Sequence, residues 1–196
     1  EDVRQASRMI HSAGFRLVLQ MMTGLPGDDD DGAVFTAEEL IRLQPDAIRI
    51  YPTVIVRGTA LERRWREGHY REHTVEDAVR VCARLLPLFE KAAVPVIRLG
   101  LNPTEELSGG AALAGAYHPA LGELVRSRIL RNEMEALLEQ TDSSGKEITI
   151  RVPARRLSQA IGQKKCNQRW IESRYPDLNI RIASSDDELL HIDNTH

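Results

Sequence analysis

Ala47-Ile48-Arg49-Ile50-Tyr51-Pro52-Thr53-Val54-Ile55-Val56-Arg57-Gly58-Thr59-Ala60-Leu61 decides the reading of this chain. Apolar residues on both sides of Arg49 predict a strand, Tyr51-Pro52 breaks it, and Gly58-Thr59 turns the chain into a helix capped by the Thr59 hydroxyl. A strand that ends in Arg, Tyr and a proline-fixed turn delivers polar groups to one rim of a parallel sheet. In α/β barrels and open α/β sheets, that rim is where ligands bind.

The flanking segments agree with such a sheet. Upstream, Val3, Ala6, Met9, Ile10 and Ala13 recur at helical spacing, Gly14 is a good helix stop, and Phe15 to Gln20 reads as a buried strand. A Gly- and Asp-rich loop then runs to Asp31, and Thr36-Ala-Glu-Glu39 reads as a capping box opening a short helix. Downstream, the Thr59 helix stops at Gly68. Thr74-Val-Glu-Asp77 caps a long amphipathic helix to about Ala92, with Val79, Cys82, Ala83 and Leu86 on its apolar face, and Val94 to Leu101 is the next strand. Strands and helices alternating at this interval mean parallel strands with crossover helices. Asn102 to Tyr117 is a long Gly/Ala-rich loop of lid or binding-loop length, followed by a helix from about Pro119 to Gln140. A helix leading into a strand at the first residues implies an earlier strand, so the chain reads as the C-terminal part of a longer protein.

After the linker 141–145 the character changes. Lys146 to Val152 alternates like a half-buried strand, Ala154 to Ile161 is helical, Gly162-Gln163-Lys164-Lys165 is a break, Cys166 to Arg174 is helical again, and Leu178 to Ile182 alternates once more. The chain as a whole carries a net charge of -3, which gives no global sign of nucleic-acid or membrane binding. Between Lys146 and Ala183, however, Lys146, Arg151, Arg155, Arg156, Lys164, Lys165, Arg169, Arg174 and Arg181 face only Glu147, Glu172 and Asp177. Residues 184–196 form an acidic tail, expected to be frayed. Two distant cysteines, Cys82 and Cys166, fit neither a disulfide framework nor a metal motif and point to a reducing, cytosolic setting, and no apolar run has the length of a membrane span.

The candidate site residues follow from these positions. Gly24-Leu25-Pro26-Gly27 after a strand suits close approach of backbone to a ligand, and the aspartates behind it read as a solvated acidic loop, since consecutive carboxylates diverge. Arg49, Tyr51 and Arg57 suit an anion or an RNA backbone at the rim, or are strand-end residues reaching solvent. His118, between the glycine-rich loop and Pro119, is the acid/base candidate. In the Ile161-Gly162-Gln163-Lys164-Lys165-Cys166 turn, a glycine followed by cations at a helix start suits a phosphate chain.

Residues 1 to about 130 resemble the C-terminal half of the radical SAM barrel found in the catalytic subunit of Elongator and its bacterial relatives. The matching text is Gly14-Phe15, Met21-Met22-Thr23-Gly24-Leu25-Pro26, Pro45 to Leu61, Trp65 to Tyr70, Arg98-Leu-Gly-Leu101 and His118 to Leu124. Residues 146–183 resemble a KH domain, with Lys165 in place of the second glycine of its GxxG loop. The resemblance implies an α/β fold: a partial (β/α) barrel over 1–140 and a small α+β KH-like domain over 146–183. It also implies a [4Fe-4S] cluster and S-adenosylmethionine in the full-length protein, with no cluster on this chain because the three-cysteine motif is absent. RNA, tRNA or rRNA, is the expected substrate. Gln20, Met22, Gly24, Arg49, Tyr51 and Arg57 would then line a cofactor or substrate rim completed by a missing N-terminal half, while Arg155, Arg156, Gly162, Gln163, Lys164, Lys165 and Arg169 would hold RNA. The competing readings are a non-catalytic RNA-binding or ribosome-associated protein with a degenerate half-barrel, and a radical SAM enzyme acting on a small molecule.

Overall fold

A computed structural model describes residues 1–102, 107–141 and 147–194. Residues 142–145 of the linker, Lys146, part of the long loop at 103–106 and the last two residues of the tail lie outside the described residues. The chain divides into two units, Glu1–Gly122 and Glu123–His196.

In the first unit α1 (Asp2–Ser12) leads into β1 (Val18–Thr23). The strand starts later than the apolar run suggests, because the Leu17 amide donates to the Asp46 carboxylate at 2.7 Å and ties the chain to the segment before the next strand. α2 (Asp30–Ile41), β2 (Ala47–Pro52), β3 (Val54–Val56), α3 (Ala60–Arg66), α4 (Val75–Lys91), β4 (Val96–Leu99) and β5 (Ala112–Gly115) follow. The three-stranded sheet runs β1-β2-β4, parallel throughout, as the alternation of strands and helices predicts. Leu19, Met21 and Thr23 of β1 point to the same face as Ile48 and Ile50 of β2, and α2 and α4 pack together there with Ala33, Ala37, Val79, Cys82, Ala83 and Leu86 buried.

Three local expectations change. The capping box at Thr36 is not used, because α2 begins six residues earlier: the Asp29 side chain accepts from the Gly32 amide, and Asp30 and Asp31 in the first turn suit the positive end of the helix. The break in the deciding stretch falls at Thr53, after Tyr51-Pro52 rather than at it, and separates two strands. Thr53 turns the chain, its amide and hydroxyl both donating to the Thr23 carbonyl (2.9 and 2.7 Å), and β3 leaves the parallel sheet to pair antiparallel with β5. The segment read as a long loop therefore contains β5. Pro52 is accommodated because it is the last residue of the central strand, where no further ladder amide is needed. The Thr74–Asp77 capping box forms as predicted.

The second unit contains α5 (Leu121–Gln140) apart from its first two residues, then β6 (Glu147–Pro153), α6 (Leu157–Ile161), α7 (Cys166–Arg174), β7 (Asn179–Ser185) and β8 (His191–Asn194). The strand–helix–turn–helix–strand order matches the sequence reading. The sheet runs β7-β6-β8, with β6 parallel to β7 and antiparallel to β8. Leu130, Met134 and Leu138 of α5 share one core with Ile148, Ile150, Val152, Ala160, Ile171 and Ile180, so this helix supplies the second unit although the sequence grouped it with the first domain. The tail is not wholly frayed either: residues 191–194 form an edge strand, and Arg151 donates to Asp193 at 2.7 Å.

Candidate functional site

Among the described residues, no helix packs on the face of the parallel sheet opposite α2 and α4. Val18, Gln20 and Met22 alternate out of β1 and are exposed, Met22 at 40 %, while Arg49 and Tyr51 of β2 emerge on the same side. Register aligns Gln20 with Arg49 and Met22 with Tyr51. A bulge between Ile48 and Arg49 brings Arg98 of β4 opposite Arg49, so Gln20, Arg49 and Arg98 form one cross-strand row. Four predicted rim residues, Gln20, Met22, Arg49 and Tyr51, thus share a face. Arg57 does not join them. It follows β3 in the other sheet, and its charge falls on Glu62, whose carboxyl is held below the ordinary range chiefly by the Gly58 amide and the Arg66 guanidinium.

Gly24 belongs to a second feature, a cleft of about 520 Å³ at the C-terminal end of β1, bounded by the Gly24–Asp31 loop, the 69–73 segment and Arg80 and Arg84 of α4. Gly24 has φ 74°, and a Cβ there would lie 2.1 Å from Cγ of His73. His73 Nε2 shares a hydrogen bond with the Thr23 hydroxyl (3.1 Å), and the Tyr70 hydroxyl donates to the Gly24 carbonyl at 2.6 Å. Two of the four aspartates, Asp30 and Asp31 in the first turn of α2, are paired with cations: Arg80 donates to Asp30 and Asp77, and Arg84 to Asp31. Sequence reasoning passed over His73, since its partners lie about 50 residues away and nothing local marks it.

Burial pushes the His73 imidazole below its ordinary value, against the pull of Asp77, so the neutral form is the native one. The unfolded chain protonates first as pH falls. The His73 contribution is therefore complete above the unfolded pKa and is lost as pH drops through the lower folded one. Urea denaturation at about pH 7.5 and about pH 5.5 should show less acid-induced loss for His73→Gln than for the parent chain.

His118 serves a structural purpose. Its Nδ1 accepts from the Ala120 amide at 3.1 Å, and its carbonyl accepts from the Leu121 amide, which starts α5.

In the second unit Gln163, Lys164 and Lys165 are exposed in the turn between α6 and α7, with Arg155 and Arg169 also exposed. Lys164 and Lys165 have φ of 50° and 61°, so this turn holds two non-glycine residues in the left-handed region. Gly162 is required by its backbone, at φ 76° and ψ 162°, and a Cβ there would also meet Cys166 Sγ at 2.6 Å. Arg156 is directed inward to Glu133 at 3.2 Å. Beneath the turn, buried Asn167 donates from Nδ2 to the Ser127 carbonyl and hydroxyl and to the Gln159 carbonyl. This network was not anticipated, since an asparagine after a cysteine carries no sequence signal of burial.

Comparison with known proteins bears on the first unit and the start of α5. Residues 45–131 match the family model for the Radical_SAM C-terminal domain. Human Elongator complex protein 3 is 35 % identical over 130 residues, 65 % of this chain and 23 % of that protein. Over these residues the chain is Elongator-catalytic-subunit-like. The tRNA uridine(34) acetyltransferase of Methanocaldococcus jannaschii is 24 % identical over 128 residues, 64 % of this chain and 23 % of its own length. The solved structure of Methanocaldococcus infernus Elp3 with an N-terminal deletion superposes with a TM-score of 0.55 at 21 % identity, covering 67 % of this chain and 30 % of that one, and shows a shared mixed α/β fold. The Elongator-like chain thus spans about a quarter of the length of these relatives. No helix among the described residues is long and apolar enough to cross a membrane.

Radical SAM chemistry implies an iron–sulfur cluster, and the thiols present do not fit one. Cys82 is buried among the apolar side chains of α4 with its pKa pushed up to about 12, whereas a cluster ligand is a thiolate; Cys166 belongs to the other unit. Iodoacetamide under native conditions should therefore modify Cys166 and leave Cys82 intact by mass spectrometry, with Cys82 reacting only after denaturation.

Proposed function

We propose that this Elongator-like chain is the C-terminal portion of a radical SAM enzyme acting on RNA such as tRNA. Its open sheet face would be turned to S-adenosylmethionine and substrate, and its second unit would work as a KH-like RNA clamp. The observation that carries the reading is that Gln20, Met22, Arg49 and Tyr51 lie on the open face of a parallel sheet in the segment shared with tRNA-modifying relatives. Bound S-adenosylmethionine would supply, at a cluster held by cysteines outside these residues, a 5′-deoxyadenosyl radical. This chain's own part would be to position the cofactor and the RNA. In the second unit, Lys164 and Lys165 would contact phosphates by charge, replacing the close backbone approach that a second glycine would allow.

The test is tRNA binding by the 196-residue chain across a salt series. Lys164→Ala plus Lys165→Ala should weaken binding and flatten the plot of log affinity against log salt by about one unit per lost contact. Salt-independent binding, or an unchanged double variant, would refute the clamp. The second reading is a non-catalytic RNA-binding protein that keeps the half-barrel as scaffold; the state of Cys82 and Cys166 is the same in both readings. That reading predicts the same RNA binding with no S-adenosylmethionine cleavage.

A further inference from the structure

We infer that Arg49 and Arg98 together form a phosphate site on the open sheet face, where they take the phosphate of one nucleotide with Tyr51 beside it. The two arginines are direct partners across neighbouring parallel strands, which lie about 4.8 Å apart and point opposed side chains the same way. Like charges placed so are unfavourable. Elsewhere in this unit Arg71, Arg80 and Arg84, three of the arginines at the cleft, are matched to aspartates. Neither Arg49 nor Arg98 makes a side-chain hydrogen bond or ion pair among the described residues. The bulge after Ile48 is what aligns them, since it shifts β4 by one residue so that Arg98 rather than Ile97 opposes Arg49. Two unmatched guanidinium groups held on rigid strands are a preformed site for an anion.

The number of donors selects the anion. One arginine fork satisfies both oxygens of a carboxylate, whereas a terminal phosphate monoester presents three free oxygens and can engage two forks from adjacent positions. Gln20 continues the row on the other side of Arg49 with an amide able to donate. Tyr51, two residues along and half-buried against Met22 in register, gives a nucleobase a ring and a thioether to rest on.

This inference rests on the RNA reading only for the kind of nucleotide. It is tested with uridine 5′-monophosphate on the 196-residue chain, by calorimetric titration at low salt. Arg49→Gln and Arg98→Gln should each weaken binding by about tenfold or more, and uridine without its phosphate should bind at least about tenfold more weakly than the monophosphate. Arg57→Gln should change nothing. Without ligand, the Arg49→Gln chain should melt at the same temperature as the parent or higher, because a repulsion has been removed. Equal binding of uridine and its monophosphate, unchanged affinity in both variants, displacement of the monophosphate by equimolar acetate, or a lowered melting temperature in Arg49→Gln would each overturn the site. Failure here with salt-dependent tRNA binding intact removes only this inference. The converse result, monophosphate binding without tRNA binding, removes the RNA reading instead.

Discussion

Gly24→Ala is expected to destabilise the first unit by about 2–5 kcal/mol, the sum of left-handed backbone strain of roughly 1–2 and overpacking of roughly 1–3. The clash is severe for a structural reason. The Cβ would lie 2.1, 2.4 and 2.6 Å from Cγ, Cδ2 and Cβ of His73, which are the root of that side chain and not a flexible end. The ring cannot swing away cheaply, since its Nε2 is bonded to the fully buried Thr23 hydroxyl. Gly27→Ala is the control: φ there is 85° and nothing lies within 4 Å, so only the backbone component applies. Urea denaturation should rank the parent first, Gly27→Ala next and Gly24→Ala last. Adding His73→Ala to Gly24→Ala should recover part of the loss. Equal costs at the two glycines would contradict the packing described for the cleft.

Asn167→Ala should cost the second unit about 2–4 kcal/mol, as expected when buried partners are left unsatisfied in a connected network. Asn167 is 3 % exposed, and its amide reaches Ser127 of α5 and the Gln159 carbonyl of α6 at 2.9–3.0 Å. α6 is only five residues long, so its last carbonyls have no partner within the helix. Asn167 and the Ser127 hydroxyl together supply donors to one of them. A double-mutant cycle with Ser127→Ala should therefore show coupling of about 1 kcal/mol or more, whereas additive losses would mean that the two side chains act independently.

What was legible in the sequence was what local chemistry determines. The Thr74–Asp77 box fixed the start of α4, and Val79, Cys82, Ala83 and Leu86, chosen for its apolar face, are all buried, together with Ala78, Val81, Leu85 and Phe89. Gln20, Met22, Arg49 and Tyr51 share a face because alternation along two parallel strands in register leaves no other outcome. Features that depend on distant partners were not legible. The aspartates at 28–31 looked like a loop because Arg80 and Arg84, which neutralise two of them, come from a helix some fifty residues on. β5 was hidden within a glycine-rich stretch, since its pairing with β3 is set by the turn at Thr53 and by Gly115, whose Cβ would meet the Thr53 carbonyl at 2.8 Å. Arg98 joined the candidate site only through a bulge that shifts β4 by one residue. Arg57, adjacent in sequence to the rim, is carried away from it by the same departure of β3.

The proposal that these residues serve a radical SAM enzyme acting on tRNA is tested most directly by anaerobic reconstitution, with iron, sulfide and reductant, of a polypeptide that joins this sequence to a cluster-binding region. The quantity to measure is 5′-deoxyadenosine released from S-adenosylmethionine with and without tRNA. Release should rise when tRNA is added and fall in the Arg49→Gln variant. Release indifferent to tRNA, or none from a polypeptide with its cluster in place, would contradict it.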